Sequence, residues 1–431
     1  MSPPRPARPV RHDAPEDADA GLAVPRVSPE GPVLVTLVGD EPLAPLVLAR
    51  QLDARRVVCL ALPVVEWRVE PLLALLRQDG RMADSFLPKI QDVPAGTDEL
   101  ARLLALGTDD GIVFDLTNAR GVLGFSLYEL AHRYEQAAPD RVQVVRVDWS
   151  ERVIRSVSPD GFRVEPLKAT VRLADYLGVH GKVLLGLERG PGSQSPFGKA
   201  AYRLASAIPQ ARPLLEATHR GHPERPLRVP GRRALPIVEE LVEDGVLEWR
   251  GSALFATSMR AFQFLHGRWL EEYLFEIADA SGQFDDCASG VRFRWSFPGE
   301  ASDPGRGDVA NEIDFAGTAH GRATLASCKT GGHDVNGPLY ELLTLAERAA
   351  GRSVISVFAT TDTLDRSARR RAAALGVRTL DATHLPDPDL VLESLVYGAP
   401  TAARPIAPGM NAAGTAPRDG QQSSTHSRRR R

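Results

Sequence analysis

The chain is 431 residues long, too long for one ordinary domain, so about two or three domains are expected. Its apolar fraction of 43% is that of a globular protein with sizeable cores, and its formal net charge of -3 excludes a global electrostatic pull toward nucleic acid, so any such site must be a local basic patch. The three cysteines, Cys59, Cys287 and Cys328, are widely spaced and form no CxxC pair, which excludes a disulfide framework and a cysteine-ligated zinc site and fits a reducing cytoplasm.

Residues 1–30 are rich in Pro, Arg, Asp and Glu and contain no apolar h-region, so they read as a disordered lead and not as a signal peptide. No apolar run approaches the roughly 18 residues needed to span a bilayer, and a soluble, cytoplasmic protein is expected. From 31 to 165, short apolar runs alternate with helical spacing. Strands are expected over 33–38, 57–62, 111–116 and 142–147, and helices over 43–52, 97–106 and 125–137. This alternation predicts an α/β fold with a parallel, doubly wound, Rossmann-like sheet. Such sheets bind ligands beyond the carboxyl ends of their strands, here Gly39-Asp40-Glu41 and Thr117-Asn118-Ala119-Arg120. Gly39, Asp40, Thr117, Asn118 and Arg120 are therefore the candidate ligand-binding residues. No GxGxxG and no P-loop is present, so an ordinary dinucleotide or ATP site is not indicated.

Residues 166–258 read as a linker and a winged-helix-like segment. A helix is expected over 167–177, a Gly/Pro/Ser-rich linker over 186–196, and a helix over 234–243 followed by a small hairpin of 246–249 and 253–256. Pieces of this shape bind DNA or serve as spacers and dimer contacts. Residues 259–398 form the last ordered block. A long amphipathic helix is expected over 262–278, then strands over 291–297, 312–315 and 322–330, the last two separated by a turn at 317–321. A helix over 339–350, a strand over 354–359, a helix over 365–375 and a strand over 377–380 complete it. Residues 399–431 are Pro/Gly/Ser-rich, end in four arginines and read as a disordered tail that is either solvated or in contact with nucleic acid.

The chemistry concentrates in Asn311-Glu312-Ile313-Asp314 and Ser327-Cys328-Lys329. Side chains two apart on a strand share a face, so Glu312 pairs with Asp314 and Ser327 with Lys329. If the two strands form a hairpin, two carboxylates and one ammonium converge. Carboxylates hold Mg²⁺ or Mn²⁺ for phosphodiester cleavage, and a lysine orients water or steadies the transition state. Lysine is otherwise rare, at Lys89, Lys168, Lys182 and Lys199, in a chain that uses arginine for positive charge. Glu271, in Gly267-Arg268-Trp269-Leu270-Glu271 on the preceding helix, adds a third acid. The order helix-Glu, strand-Asp, strand-Lys points to a metal-dependent nuclease with Glu271, Asp314, Lys329 and Glu312 as its catalytic residues.

The segments GRWLEEYLF, NEIDFAG and SCKTG, in this order and spacing, resemble the PD-(D/E)xK restriction-endonuclease-like domain of CRISPR-associated effectors that carry an N-terminal CARF sensor domain. The resemblance is closest over 259–360 and topological over 32–165. It implies a homodimer in antiviral defence that binds a cyclic oligoadenylate as activator. It implies Mn²⁺- or Mg²⁺-dependent cutting of single-stranded DNA, single-stranded RNA or plasmid DNA. By the same resemblance Glu271 is the helical acid and Asp314 the central metal ligand. Lys329 is then the catalytic lysine, and the Cys328 carbonyl a further metal ligand.

The chain departs from the pattern twice. Ser327 stands where an acid two residues before the lysine is usual, which makes Glu312 the candidate to compensate. The sensor loop Thr117-Asn118-Ala119-Arg120-Gly121 keeps a threonine and a cation but lacks the glycines of the Thr-Gly-Gly-Thr-Lys-like loop of related sensors. His333 and Asp334 are further candidates to contact substrate, and Glu341 to support the site. Arg369-Arg370-Arg371 reads as a phosphate contact or a solvated helix face. Trp269, Trp295 and Phe297 read as core. Two other functions fit the same residues: an unregulated restriction or repair nuclease, and a non-catalytic nucleotide-sensing regulator that binds nucleic acid.

Overall fold

Residues Val33–Val38 are buried at every position. A continuous apolar run of this kind suits the centre of a parallel sheet covered on both faces. In the computed structural model of the protein it occupies that place. The structure describes residues 31–39, 42–88, 92–104, 111–158, 161–193, 195–228, 234–295, 311–331, 335–351 and 353–398. The expectations for residues 1–30 and 399–431, and for Asp40, Glu41, Phe297, His333 and Asp334, fall outside the described residues.

The first sheet is built from β1 (Val33–Val38), α1 (Leu43–Gln51), β2 (Arg56–Ala61), α2 (Val69–Gln78), β3 (Met82–Phe86), α3 (Val93–Leu104), β4 (Ile112–Asp115), α4 (Gly121–Ala137), β5 (Val142–Asp148), β6 (Val153–Ser158) and β7 (Gly161–Pro166). Its strand order is β3-β2-β1-β4-β5-β6-β7. The first five strands are mutually parallel, and β6 and β7 add an antiparallel hairpin at one edge. Val33, Val35 and Leu37 pack against α3 and α4, while Leu34 and Val38 pack against α1 and α2. This is the doubly wound α/β arrangement that the alternation predicts. The chain order reverses between β1 and β4.

The rest comprises α5 (Leu173–Val179), β8 (Lys182–Gly186), α6 (Gly198–Ser206), α7 (Ile208–His219), α8 (Leu235–Glu243), β9 (Leu247–Arg250), β10 (Ala253–Ala256), α9 (Met259–Gln263), α10 (Trp269–Ser281), β11 (Asp286–Trp295), β12 (Asn311–Ala319), β13 (Arg322–Lys329), α11 (Asn336–Ala350), β14 (Ile355–Thr360), α12 (Arg366–Ala374), β15 (Val377–Leu380) and α13 (Pro388–Tyr397). The second sheet has the order β15-β14-β13-β12-β11-β8. One face packs on α11. The other packs on α10 and α13, together with α6, α7, α8 and the β9–β10 hairpin.

Several details differ from the expected elements. The helix expected over 167–177 begins only at Leu173, and the residues before it run extended to the Arg172 cap. The turn expected over 317–321 tightens to His320-Gly321, both with positive φ, because Gly317 to Ala319 continue the ladder of β12. β8 comes from the stretch assigned to the linker and winged-helix segment, yet it pairs antiparallel with β11. No helix among the described residues is long and apolar enough to cross a membrane.

The two sheets share one core. α5 places Leu173, Tyr176 and Leu177 among Leu72 and Leu76 of α2 and Ala349 and Ala350 of α11. The Tyr176 hydroxyl donates to the Ala350 carbonyl across this junction at 3.1 Å. His180 closes it. Its ring stacks on Tyr176 at 4.9 Å between centroids, and its Nδ1–H donates to the Tyr176 carbonyl at 2.9 Å. Burial holds the imidazole down to about 4, with Arg68 and Lys182 pushing the same way. The unfolded chain titrates near the usual value of about 6.5, so between about 4 and 6.5 it binds the proton that the folded chain refuses. Stability is therefore lost as pH falls through this window, by an amount on the order of 3 kcal/mol at its lower end. Thermal melts of the wild type and His180→Asn at pH 7.5 and 4.5 check this: the acid-induced drop should be smaller in the variant. Identical drops would remove His180 as the cause.

Candidate functional site

α10 carries the helical acid, and its placement depends on an irregular approach. Ser258 caps α9, its Oγ accepting the Ala261 N–H at 3.1 Å. The helix expected to run unbroken over 262–278 is interrupted at Phe264–Arg268 by a wide π-type turn, within which Gly267 leaves the helical region (φ 160°, ψ -30°). Wide turns of this kind recur at functional sites because they re-aim the helix that follows. Trp269, Leu270, Tyr273, Leu274 and Ile277 are buried in the core that α10 shares with the sheet, α6 and α13, and Glu271 and Glu272 lie half-buried on its flank.

Asp314 lies at a break in the alternation of β12. Ile313 belongs to the core under α11, whereas Phe315, two residues on, belongs to the core under α10. On β11 the neighbouring pairs are Ser289↔Phe315 and Val291↔Ile313. Gly290 lies between them with φ 58°, the left-handed region that glycine tolerates. Ala288 and Val291, three apart, share a core, as do Ile313 and Ala316. Strict alternation forbids both, so the two strands rotate together at Gly290 and Asp314. Irregular strands of this kind are common next to active sites. The Asp314 carboxylate thereby escapes both cores. Its Oδ2 accepts from the Cys328 N–H at 2.6 Å and the Ser327 hydroxyl at 3.3 Å.

The structure brings the predicted acids into one electrostatic group. Glu271 is pushed up to about 8, first by burial, then by Asp314, Glu188 and Glu312, with Arg268 opposing. Glu312 is exposed, opposite Arg292 on β11. Burial raises the Cys328 thiol, as do Asp314 and Glu271. Lys329 lies half-exposed at the end of β13, shares a strand face with Ser327, and partly offsets the acids' effect on Cys328. Among the described residues no three His, Cys, Asp or Glu side chains stand together as a complete metal cage. Two carboxylates and a carbonyl nonetheless suit Mg²⁺ or Mn²⁺, which keep several waters and use few protein ligands. The mutual repulsion that raises Glu271 is what a divalent cation relieves.

Glu188 is a site residue that the sequence reading missed. A Cβ at Gly290 would lie 2.3 Å from the Glu188 Cγ, so glycine there makes room for this side chain. Glu188 pairs with Arg268 at 2.8 Å. His219, His266 and Thr330 were missed too. They come from α7, the π-type turn and the residue after Lys329, and meet only in the fold.

The ligand-binding candidates of the first sheet meet where its strand order reverses, the crevice in which such sheets hold ligands. Gly39 ends β1 against Asn118: a Cβ at Gly39 would lie 2.8 Å from the Asn118 side-chain oxygen. Asn118 Nδ2 donates to the Leu37 carbonyl at 3.1 Å, and Arg68 donates to the Gly39 carbonyl at 2.7 Å. Thr117 serves the frame. Its hydroxyl donates to buried Asp115 at 2.5 Å and accepts from the Val147 N–H at 2.9 Å. Arg120 is exposed and precedes α4, whose N-terminal N–H groups open beside the crevice.

α10 is anchored by Arg189, which is 6% exposed, bridges Glu272 and Glu276 and lies over the Phe275 ring at 4.4 Å. Its guanidinium also donates to the Ser193 carbonyl. Removing the cation leaves two largely buried acids unpaired. Arg189→Met should lower stability by about 3 kcal/mol and weaken any activity that depends on Glu271. Urea unfolding at neutral pH measures the first effect, and a variant as stable as the wild type would deny Arg189 this role.

No protein-family model matches the chain, and no curated protein matches it by sequence. Among solved structures, the chain resembles protein VC1899 from Vibrio cholerae with a TM-score of 0.66 and 18% identity, over 83% of this chain and 95% of that one. It also resembles Can2 from Sulfobacillus thermosulfidooxidans, solved in complex with cyclic tetra-adenylate, with a TM-score of 0.62 and 16% identity, over 85% of this chain and 96% of that one. At these identities the likeness is one of fold, and it runs the length of both proteins: the chain has their α/β architecture.

Proposed function

We propose that the protein is a metal-dependent nuclease controlled by a cyclic oligoadenylate, a CARF-type sensor joined to a PD-(D/E)xK domain that acts in CRISPR defence. The observation that carries the nuclease reading is the meeting of Glu271, half-buried on α10, with Asp314, which leaves both cores at the break in β12 and is held by the Cys328 N–H and the Ser327 hydroxyl. A buried acid raised by neighbouring carboxylates marks a site in which charge is handled. Asp314, Glu271 and the Cys328 carbonyl would hold Mn²⁺ or Mg²⁺. When bound, such an ion supplies Lewis-acid polarisation of the phosphate and charge to stabilise the transition state. Ser327 and the Cys328 N–H orient Asp314, in keeping with their hydrogen bonds to it. Lys329 orients the attacking water or steadies charge on the phosphate. Glu312 supplies the acid that Ser327 lacks.

The sensor reading is supported by the crevice at Gly39 and Asn118 and by the likeness in fold to Can2, whose structure holds cyclic tetra-adenylate. The activator would contact Gly39, Asp40, Asn118 and Arg120, with Thr117 shaping the loop. A homodimer is supported by Val122, Phe125 and Tyr128. These are 40%, 66% and 51% exposed, at three-residue spacing on α4 beside Arg120. Because Ser327 departs from the usual acid, a regulator that binds nucleic acid without cutting it is the second reading.

One assay tests these readings. Purified protein with Mn²⁺ is given single-stranded DNA, single-stranded RNA and supercoiled plasmid, with and without cyclic tetra- or hexa-adenylate. Cutting should require activator and fall about 100-fold or more in Lys329→Ala and in Glu312→Gln. Cutting without activator would discard the sensor, and nucleic-acid binding with no cutting would establish the second reading. Sedimentation of the same sample should show a dimer, and a monomer would reject that part. In Gly39→Ala the added methyl meets Asn118, so half-maximal activation should need about tenfold more activator at an unchanged maximal rate. An unshifted curve would move the activator elsewhere.

A further inference from the structure

Two open cavities flank the end of β13 and meet at Thr330, the residue after Lys329. One, of about 450 Å³, is lined by Phe262, His266, Gly267, Arg268, Glu271 and Cys328. The other, of about 180 Å³, is lined by Arg212, His219, Gly331, Thr361 and Asp362. The His219 and His266 rings straddle the divide, 4.7 Å apart and inclined at 61°. Phe262, buried in the core, backs the His266 ring at 5.8 Å. His219 Nε2 lies 3.4 Å from the Thr330 hydroxyl.

The backbone between the two cavities is bare. A Cβ at Gly267 would lie 3.0 Å from the Thr330 hydroxyl, and Gly331 has φ 106°. Glycine at both positions keeps the groove open where it passes Thr330. Arginines flank each end, Arg268 paired with Glu188 and Arg212 with Asp362. Flat rings beside cations along an open groove suit an unpaired nucleic-acid strand, whose bases stack on such rings and whose phosphates take N–H donors.

We propose that His219 and His266 seat the nucleotide next to the scissile phosphate of a single-stranded nucleic acid. His266, exposed at the mouth, stacks on the base. His219, half-buried beside Thr330, lines the second cavity on the side of the adjoining phosphate. The inference rests on the nuclease reading and assigns that site its strand-holding residues. It also favours single strands over duplexes, whose bases cannot reach the rings.

Binding of a fluorescent single-stranded 12-mer is measured by anisotropy in the Lys329→Ala background with Ca²⁺, and cleavage is measured with Mn²⁺ and saturating cyclic tetra- or hexa-adenylate in otherwise wild-type protein. Adding His266→Ala should weaken oligonucleotide binding about tenfold, and His266→Phe should restore most of it. In cleavage, His266→Ala and His219→Gln should raise KM and leave kcat near wild type. If the protein cuts but neither binding nor KM moves in these variants, or if only kcat falls, the seat is not here although the nuclease reading survives. If the Lys329→Ala protein binds no oligonucleotide and the wild type cuts none, both fall together.

Discussion

Negative charge kept from water has to be met by a proton, a cation or hydrogen bonds, and the acids around Glu271 draw on all three. Glu271 keeps its proton to about 8. Glu188 takes the Arg268 guanidinium, and Asp314 takes the Cys328 N–H and the Ser327 hydroxyl. Each solution depends on a backbone irregularity. The wide turn at Phe264–Arg268 aims α10, and the paired break at Gly290 and Asp314 frees a carboxylate from two cores. Regular elements would have buried Asp314 or turned it away, because alternation commits every second residue of a strand to one face.

The rest of the fold can be understood as support for these irregularities. Arg189, bridged to Ser289 of β11, grips α10 through Glu272 and Glu276. β8 brings Glu188 to Gly290 by adding a strand to the edge of the second sheet. The crevice of the first sheet stands on the same core, because α5 interlocks with α2 and α11. Close-packed interiors pass displacements on rather than absorbing them. The core under α1, α2 and α5 is therefore the physical connection available between the crevice and the acids.

Much of the architecture was legible in the chain. The run at 33–38 is buried throughout because a central parallel strand is covered on both faces, and it and the strand at 142–147 lie where expected. The hairpin that carries Asp314 and Lys329 was legible from its turn and alternation. α2, β3, α6, α7 and α13 were not, being short or mixed in composition. β8 was hidden because an edge strand of five residues, two of them exposed and none buried, carries little periodic signal.

By itself the sequence determined which elements form and which chemistry they carry: alternating strands and helices, an acid on a helix, and acid and lysine on adjacent strands. These follow from local periodicity and from residue type, which neighbouring positions settle. Only the tertiary structure decided that Glu188 stands over Gly290, that His219 and His266 meet beside Thr330, and that Thr117 is used up within the frame by Asp115 and Val147. Those meetings join residues distant in the chain. They depend on packing two sheets around a shared core, which no local pattern records.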